Sequence, residues 1–393
     1  MDVWLTFTNE LMKTTPLAFD YQSTTPCSEE VLKAMSPYWN EVWGNPSSKQ
    51  NRLGLNASAA ITVARDKLAA LLDVPSQRLI FTSGATEANN LALLGHARAK
   101  ALEYGRPGHL ITISTEHQAV IKPLRQLQKE GFRVTELTPN SDGMITLDSL
   151  KNVFSEDTFL VSAMVANNEI GVLQPISEIA SLCKSRGITF HSDAAQGFGN
   201  VPIDFKKIGI DFASISGHKL YGPKGIGLLI ANETCNLIPL QWGGDQENGI
   251  RAGTLPVPLV VGFVKAAELA IEHLDVHYKY LKGLRDQLWQ GLNNEIPDLI
   301  INGSLERRLP HNLNFTVGGV IGSLLHKQLR PLISCSSGSA CSNGSPSHVL
   351  ISLGRTTQQA EASLRLSVGR STTLKDVDIA VEVISNVVQK LRG

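Results

Sequence analysis

Residues 189–231 read TFHSDAAQGFGNVPIDFKKIGIDFASISGHKLYGPKGIGLLIA. Three short apolar, β-branched runs stand in this stretch, at 189–192, 212–216 and 227–231, with polar or helical-period segments between them. That alternation is the mark of strands joined by crossovers in a mostly parallel sheet. Polar chemistry follows at once on two of the runs: Asp193 and Gln196 after the first, Ser216, His218 and Lys219 at the end of the second. In open α/β sheets ligands bind beyond the carboxyl ends of the strands. These residues are therefore candidates for a site, and the glycine-rich residues 222–227 read as the turn that leads into the next strand.

Working outward, the same pattern predicts strands at 78–81, 109–114, 133–137 and 159–166, with amphipathic helices at 88–104 and 177–186. Their ends are again polar. Thr82-Ser83-Gly84-Ala85-Thr86-Glu87 precedes a helix, and small residues at a helix start expose backbone N–H groups to an anion. Thr115-Glu116-His117 and Asn167-Asn168-Glu169 close two further strands. From about residue 265 the character changes to a long helical pattern over 266–295, a strand near 312–317, a helix near 349–353 and a strand at 363–368. A final helix over 374–391 is opened by Thr372 or Thr373 as N-cap. The expected fold is α/β, a mostly parallel central sheet flanked by helices in a large domain of residues 17–262. A smaller α+β domain would follow over 263–393, with residues 1–16 packed on it.

The composition excludes several functions. At 393 residues the chain has room for two domains. Lys+Arg and Asp+Glu both number 36, and no block of five or six like charges occurs, so a nucleic acid or an anionic membrane has no electrostatic footprint to meet. Residues 255–264, the longest nearly apolar run, contain two prolines and fall well short of a bilayer span. The start, MDVWLTFTNELMKTTP, has acidic residues at 2 and 10 and neither a signal-peptide nor a transit-peptide pattern, so a cytoplasmic protein is expected. Cys27, Cys183, Cys235, Cys335 and Cys341 show no Cys-x-x-Cys spacing, which predicts reduced thiols and no metal site.

Taken singly, each strand-end residue has an ordinary structural use: a Gly-x-Thr turn is most often a plain helix cap. Their combination is more specific. A Lys, a carboxylate, a His, an amide and a phosphate cradle at successive strand ends are the parts that pyridoxal phosphate chemistry needs. The other phosphate-binding signatures, G-x-x-x-x-G-K-[ST] and a G-x-G-x-x-G that opens a βαβ unit, do not occur.

The segments FTSGATEANNLAL (81–93), STEHQAV (114–120), NNEIGVLQPI (167–176), HSDAAQ (191–196), SGHKLYGPKGIG (216–227), RAGTLPV (251–257) and SSGSACSNGSPSHVL (336–350) occur in this order. With them the chain resembles the NifS/IscS-like cysteine desulfurases, which have the type I aminotransferase fold of the class V aminotransferases. The resemblance runs from LAFDYQSTTP at 17 to SLRLSVGR at 363. It implies pyridoxal 5'-phosphate bound as a Schiff base to Lys219, with Asp193 on the pyridinium nitrogen, Gln196 on the ring hydroxyl and His117 stacked on the ring. Ala85, Thr86, Ser216 and His218 would hold the phosphate, together with Thr254 of a partner subunit in a homodimer. Asn168 and Arg365 would fix the substrate carboxylate. Cys341 would take the sulfur of L-cysteine as a persulfide, leave L-alanine, and pass the sulfur to a protein acceptor such as an iron–sulfur scaffold.

Two departures and several rivals belong beside that reading. The segment after Cys341 is about two residues shorter than in the housekeeping desulfurases, and the chain stops at Gly393 without their scaffold-docking extension, so the resemblance does not by itself imply docking of an iron–sulfur scaffold. The stretch QWGGDQENGIRAGT varies ahead of its Arg-x-Gly-Thr end. A selenocysteine lyase, a cysteine or cystine C–S lyase and an ordinary class V aminotransferase would share the cofactor site, and a catalytically silent sulfur-trafficking module would keep only the fold. Cys335, six residues before Cys341, is a second candidate for sulfur relay; the remaining cysteines read as packed side chains.

Overall fold

The computed structural model describes residues 16–337 and 346–393. Two compact units result. Thr24–Asn168 and Val172–Val276 form the larger; the smaller takes residues 16–23, Glu169–Gly171 and the described part of His277–Gly393. The boundary thus falls beyond the expected 262, because the helix Val257–Glu272 packs on the larger unit, burying Val260, Phe263, Val264 and Ala267. The pattern expected as one helix over 266–295 is two, Val257–Glu272 and Leu274–Glu295, separated at His273. Residues 17–23, expected in the large domain, belong to the smaller unit.

A two-residue strand, β1 (Leu17–Ala18), opens the described chain. The larger unit is built on β2 (Leu79–Thr82), β3 (His109–Ile113), β4 (Arg133–Leu137), β5 (Thr158–Ser162), β6 (Thr189–Asp193), β7 (Phe212–Ser216) and β8 (Gly227–Ala231). They form one seven-stranded sheet in the order β2-β8-β7-β6-β5-β3-β4. Only β8 runs against its neighbours. The mostly parallel sheet expected from the sequence is therefore present, and the C-terminal ends of β2, β3, β5, β6 and β7 share one side. Strands β3, β5, β7 and β8 are buried along their whole length, which is why they read as near-continuous apolar runs.

In the smaller unit β9 (Leu299–Ile301), β10 (Asn312–Val317) and β12 (Ser363–Ser367) form an antiparallel sheet in the order β12-β10-β9, while β1 pairs with β11 (Ile333–Ser334). Phe19, Leu313, Phe315, Leu364 and Leu366 make a continuous core with Leu284, Leu288 and Leu292 of one helix and Ala380, Ile384 and Val388 of another. The last helix, Leu374–Arg392, begins at Thr373, whose hydroxyl and Asp376 carboxylate form a reciprocal capping box. Glu169–Gly171 joins this unit because β10 grips it: Asn312 and Asn314 both donate to the Glu169 carbonyl, at 3.1 and 3.0 Å. Gly171 has φ 72° and lies so close to the Asn312 side chain that a Cβ would collide with it. Among the described residues, no helix is long and apolar enough to cross a membrane.

Candidate active site

The phosphate cradle is built by register. Thr82 of β2 stands opposite Gly227 of β8, which stands opposite Ser216 of β7. The chain then turns at Gly84, with φ 153°, into the helix Ala85–Asn90. A Cβ at Gly227 would lie 2.6 Å from Gly84 Cα, so only glycine lets the turn settle against the sheet. A Cβ at Gly84 would come within 4.0 Å of the Ser216 hydroxyl. The register and the turn bring Ala85 and Thr86, at a helix start, together with Ser216, a set of backbone N–H groups and hydroxyls that fits a phosphate. Glu87 fastens the turn by accepting the Ser83 N–H at 2.6 Å.

Lys219 ends the one-turn helix Gly217–Lys219 directly after β7. The strap Thr24–Ser28 fixes it from outside. Thr25 donates its N–H and its hydroxyl to the His218 carbonyl, both at 3.0 Å, and accepts the Tyr221 N–H at 2.8 Å. His218 Nδ1 meets the Thr24 hydroxyl at 3.1 Å, and burial together with Lys219 and Lys224 lowers this imidazole to about 4, so it is neutral at physiological pH.

One strand over, Asp193 ends β6. Its Oδ2 accepts from Asn89 Nδ2 at 2.7 Å and its Oδ1 from the Ala195 N–H at 2.9 Å, which fixes the carboxylate's orientation. Gln196 follows on the same turn and is buried. Asn89 was not evident as a site residue in the sequence; it lies one helical turn past Ala85, and only its contact reveals its role. Glu116, in the turn after β3, is fully buried, and Oε1 accepts the Met164 N–H at 2.6 Å. Desolvation, with the Asp193 charge adding to it, holds this carboxyl well above the usual range.

His117 caps the next helix through Nδ1, which accepts the Ala119 N–H at 3.1 Å; a neutral ring therefore carries its proton on Nε2. Asn167 Nδ2 donates to the Thr115 carbonyl at 2.7 Å, tying the ends of β3 and β5, and Asn168 follows it. The larger unit thus gathers Ala85, Thr86, His117, Asn168, Asp193, Gln196, Ser216, His218 and Lys219 at one end of its sheet. Thr254 belongs to the same unit but is exposed on a separate loop.

Arg365 lies on β12 of the smaller unit, opposite Asn314, and is almost fully buried. One of its terminal nitrogens donates to Asp20 at 2.7 Å and to Ser23 at 2.6 Å, which orients the guanidinium. The Glu169 carboxyl accepts from the Ser347 hydroxyl, and burial raises it to about 7 although Ser347 and Arg365 pull the other way. Cys341 lies outside the described residues. Cys335 is pushed up to about 12 by burial and the Asp20 charge, so its thiol stays protonated at neutral pH, which argues against sulfur relay.

A Lys at the end of one strand, a hydrogen-bonded carboxylate at the end of the next and a phosphate cradle beside them define a pyridoxal phosphate enzyme of the aminotransferase fold. The chain belongs to the class V aminotransferase family, whose model matches residues 17–379; this family is pyridoxal phosphate-dependent. Among curated proteins it is 44% identical over 382 residues to the cysteine desulfurase IscS of Rickettsia felis, covering 96% of this chain and 92% of that one. A solved NifS-like protein matches with a TM-score of 0.89 at 34% identity, covering 96% of this chain and all of its own. A structure described as SspA in complex with cysteine matches with a TM-score of 0.80 at 36% identity, over 90% of this chain and 99% of that one.

Proposed function

We propose that this chain is a cysteine desulfurase that converts L-cysteine to L-alanine and passes the sulfane sulfur onward from Cys341. The observation that carries the reading is the 44% identity to a curated cysteine desulfurase over nearly the full length of both chains. Pyridoxal phosphate, when bound, supplies an electron sink for negative charge at the substrate Cα. The other parts of the reaction fall to the chain's own side chains.

Lys219 would hold the cofactor, and its Nζ would be the base that takes the Cα proton of the substrate. Asp193, oriented by Asn89 and the Ala195 N–H, would be the carboxylate that holds a proton at the pyridine nitrogen. Gln196 would bond the ring hydroxyl, and His117 would stack on the ring. Ala85, Thr86, Ser216 and His218 would hold the phosphate. Asn168 and Arg365 are assigned to the substrate carboxylate, which matches the bidentate geometry of a guanidinium. The Cys341 thiolate then attacks the substrate sulfur. An S–S bond forms, the C–S bond breaks, and its electron pair remains on the carbon skeleton, which is protonated and released as alanine. The persulfide passes to a protein acceptor in iron–sulfur cluster or thio-cofactor assembly.

A homodimer completes the site through Thr254. Its support is twofold: Thr254 is exposed, and the larger unit also exposes Trp39, Trp43, Leu55 and Val63. Val63 lines a cavity of about 520 Å³ with Tyr38, Val42 and Val264, an apolar surface of the kind that a subunit contact covers. A cytoplasmic location suits Cys27, Cys183, Cys235 and Cys335, all free thiols. The test is product analysis with L-cysteine and a thiol reductant. Alanine and sulfide in equal amounts are expected; pyruvate and ammonia in place of alanine would indicate a C–S lyase, and transamination of an added 2-oxo acid would indicate an aminotransferase.

A further inference from the structure

Residues 245–254 lie along the larger unit as an arm that two ion pairs fasten. In the first, the Glu247 side chain is 1% exposed and engages the Arg65 guanidinium with both oxygens. Glu247 Oε2 also accepts the Phe81 N–H at 2.8 Å, while Arg65 donates to the Leu79 carbonyl and lies 4.7 Å over the Phe81 ring. Leu79 and Phe81 belong to β2, the edge strand of the sheet. The ion pair therefore meets backbone groups that a further strand would otherwise pair.

In the second, Arg251 Nε donates to Glu87 Oε1 at 2.8 Å, and the same Glu87 holds the Ser83 N–H of the cradle turn. Between the two clamps the backbone takes a shape that side chains resist: Glu247 has φ 48° and Asn248 φ 56°. A left-handed glutamate persists only where its surroundings over-determine it. The clamp residues come from segments far apart in the chain, yet both pairs act on the strand and turn that form the cradle. Thr254 stands three residues beyond Arg251.

We propose that Glu247 and Arg65 are positioning residues, which lock the 245–254 arm in register with β2 and the cradle turn so that Thr254 reaches a cofactor phosphate. This inference rests on the assignment of Thr254 to the phosphate of the neighbouring subunit's cofactor. The strain at Glu247 and Asn248 then has a use, because it sets the direction in which the arm leaves the edge strand.

The experiment is a double-mutant cycle on the full-length dimer, with pyridoxal phosphate dissociation measured by equilibrium dialysis and amide exchange followed at Phe81. Glu247→Ala and Thr254→Ala should each weaken cofactor binding by about tenfold. The double variant should be no weaker than about the same tenfold, because an arm already out of register has no further contact to lose. Exchange at Phe81 should accelerate in Glu247→Ala and stay unchanged in Thr254→Ala. Glu247→Gln keeps an acceptor for the Phe81 N–H and should fall between parent and Glu247→Ala, which separates positioning from a folding defect. Wild-type affinity in Glu247→Ala beside a weakened Thr254→Ala overturns the clamp alone, as do losses that multiply in the double variant. Wild-type affinity in Thr254→Ala overturns the phosphate assignment, and the inference with it.

Discussion

Replacing Glu169 by Gln should change how stability depends on pH. The Glu169 carboxyl is buried in the smaller unit, where it accepts from the Ser347 hydroxyl, and burial raises it from 4.5 to about 7. A carboxyl that holds its proton more tightly in the folded chain destabilises the fold as it ionises. Its contribution is fully present below about pH 4.5, where folded and unfolded chains are both protonated, and is lost as pH rises to about 7. The loss amounts to roughly 3 kcal/mol, taken over the interval from 4.5 to about 7. Glutamine stays neutral throughout and keeps an acceptor for Ser347. Urea denaturation of parent and Glu169→Gln, in steps from pH 5 to 8.5, isolates this group because every other titration is common to both proteins. The variant should gain relative to the parent across the interval by up to roughly 3 kcal/mol and then level off. A difference that stays constant over the whole range would refute the reasoning.

Other outcomes are expected at the site. Lys219→Ala should abolish turnover and the absorbance of covalently held cofactor while Lys224→Ala keeps both; the reverse pattern would move the assignment to Lys224. Asn89→Ala should leave the fold intact and lower kcat/KM for cysteine about tenfold to a hundredfold, the effect of losing one hydrogen bond to a buried carboxylate; unchanged kinetics would remove Asn89 from the site. Burial raises Cys183 and Cys335 to about 12, so iodoacetamide at pH 8 should leave both intact during the time in which it inactivates the enzyme at Cys341, and Cys335→Ala should remain substantially active. Peptide mapping of the alkylated protein checks this, and early labelling of Cys335 would count against it.

Strands β4, β7, β8 and β10 lie where the apolar runs put them, because each run ends at a turn residue that also ends the ladder. The run at 159–166 is a strand only to Ser162; beyond it Ala163 and Val165 still bond to His191 and Asp193, so the chain stays extended without regular pairing. The division of the long helix at His273 carries no proline or glycine to announce it. The placement of Asp193, His117 and Lys219 at strand ends was legible, since polar residues directly after buried strands stand out. Asn89 and Asp20 look like ordinary helix and loop residues until the fold brings them to Asp193 and Arg365, and Glu116, legible as a polar strand-end residue, shows its burial and its bond to Met164 only in the fold. The pairing of Arg65 with Glu247 was equally invisible, because tertiary contact alone joins residues so far apart in sequence.

The destination of the substrate sulfur is decisive. A single turnover of the holoenzyme with L-cysteine and no reductant, followed by mass analysis of the peptide that carries Cys341, tests this most directly. One added sulfur on Cys341 is predicted for each alanine released, and none on Cys335. In Cys341→Ala the cysteine-induced absorbance change should persist without persulfide. An unmodified Cys341 in an enzyme that nonetheless releases sulfide, or a persulfide found on Cys335, would contradict it.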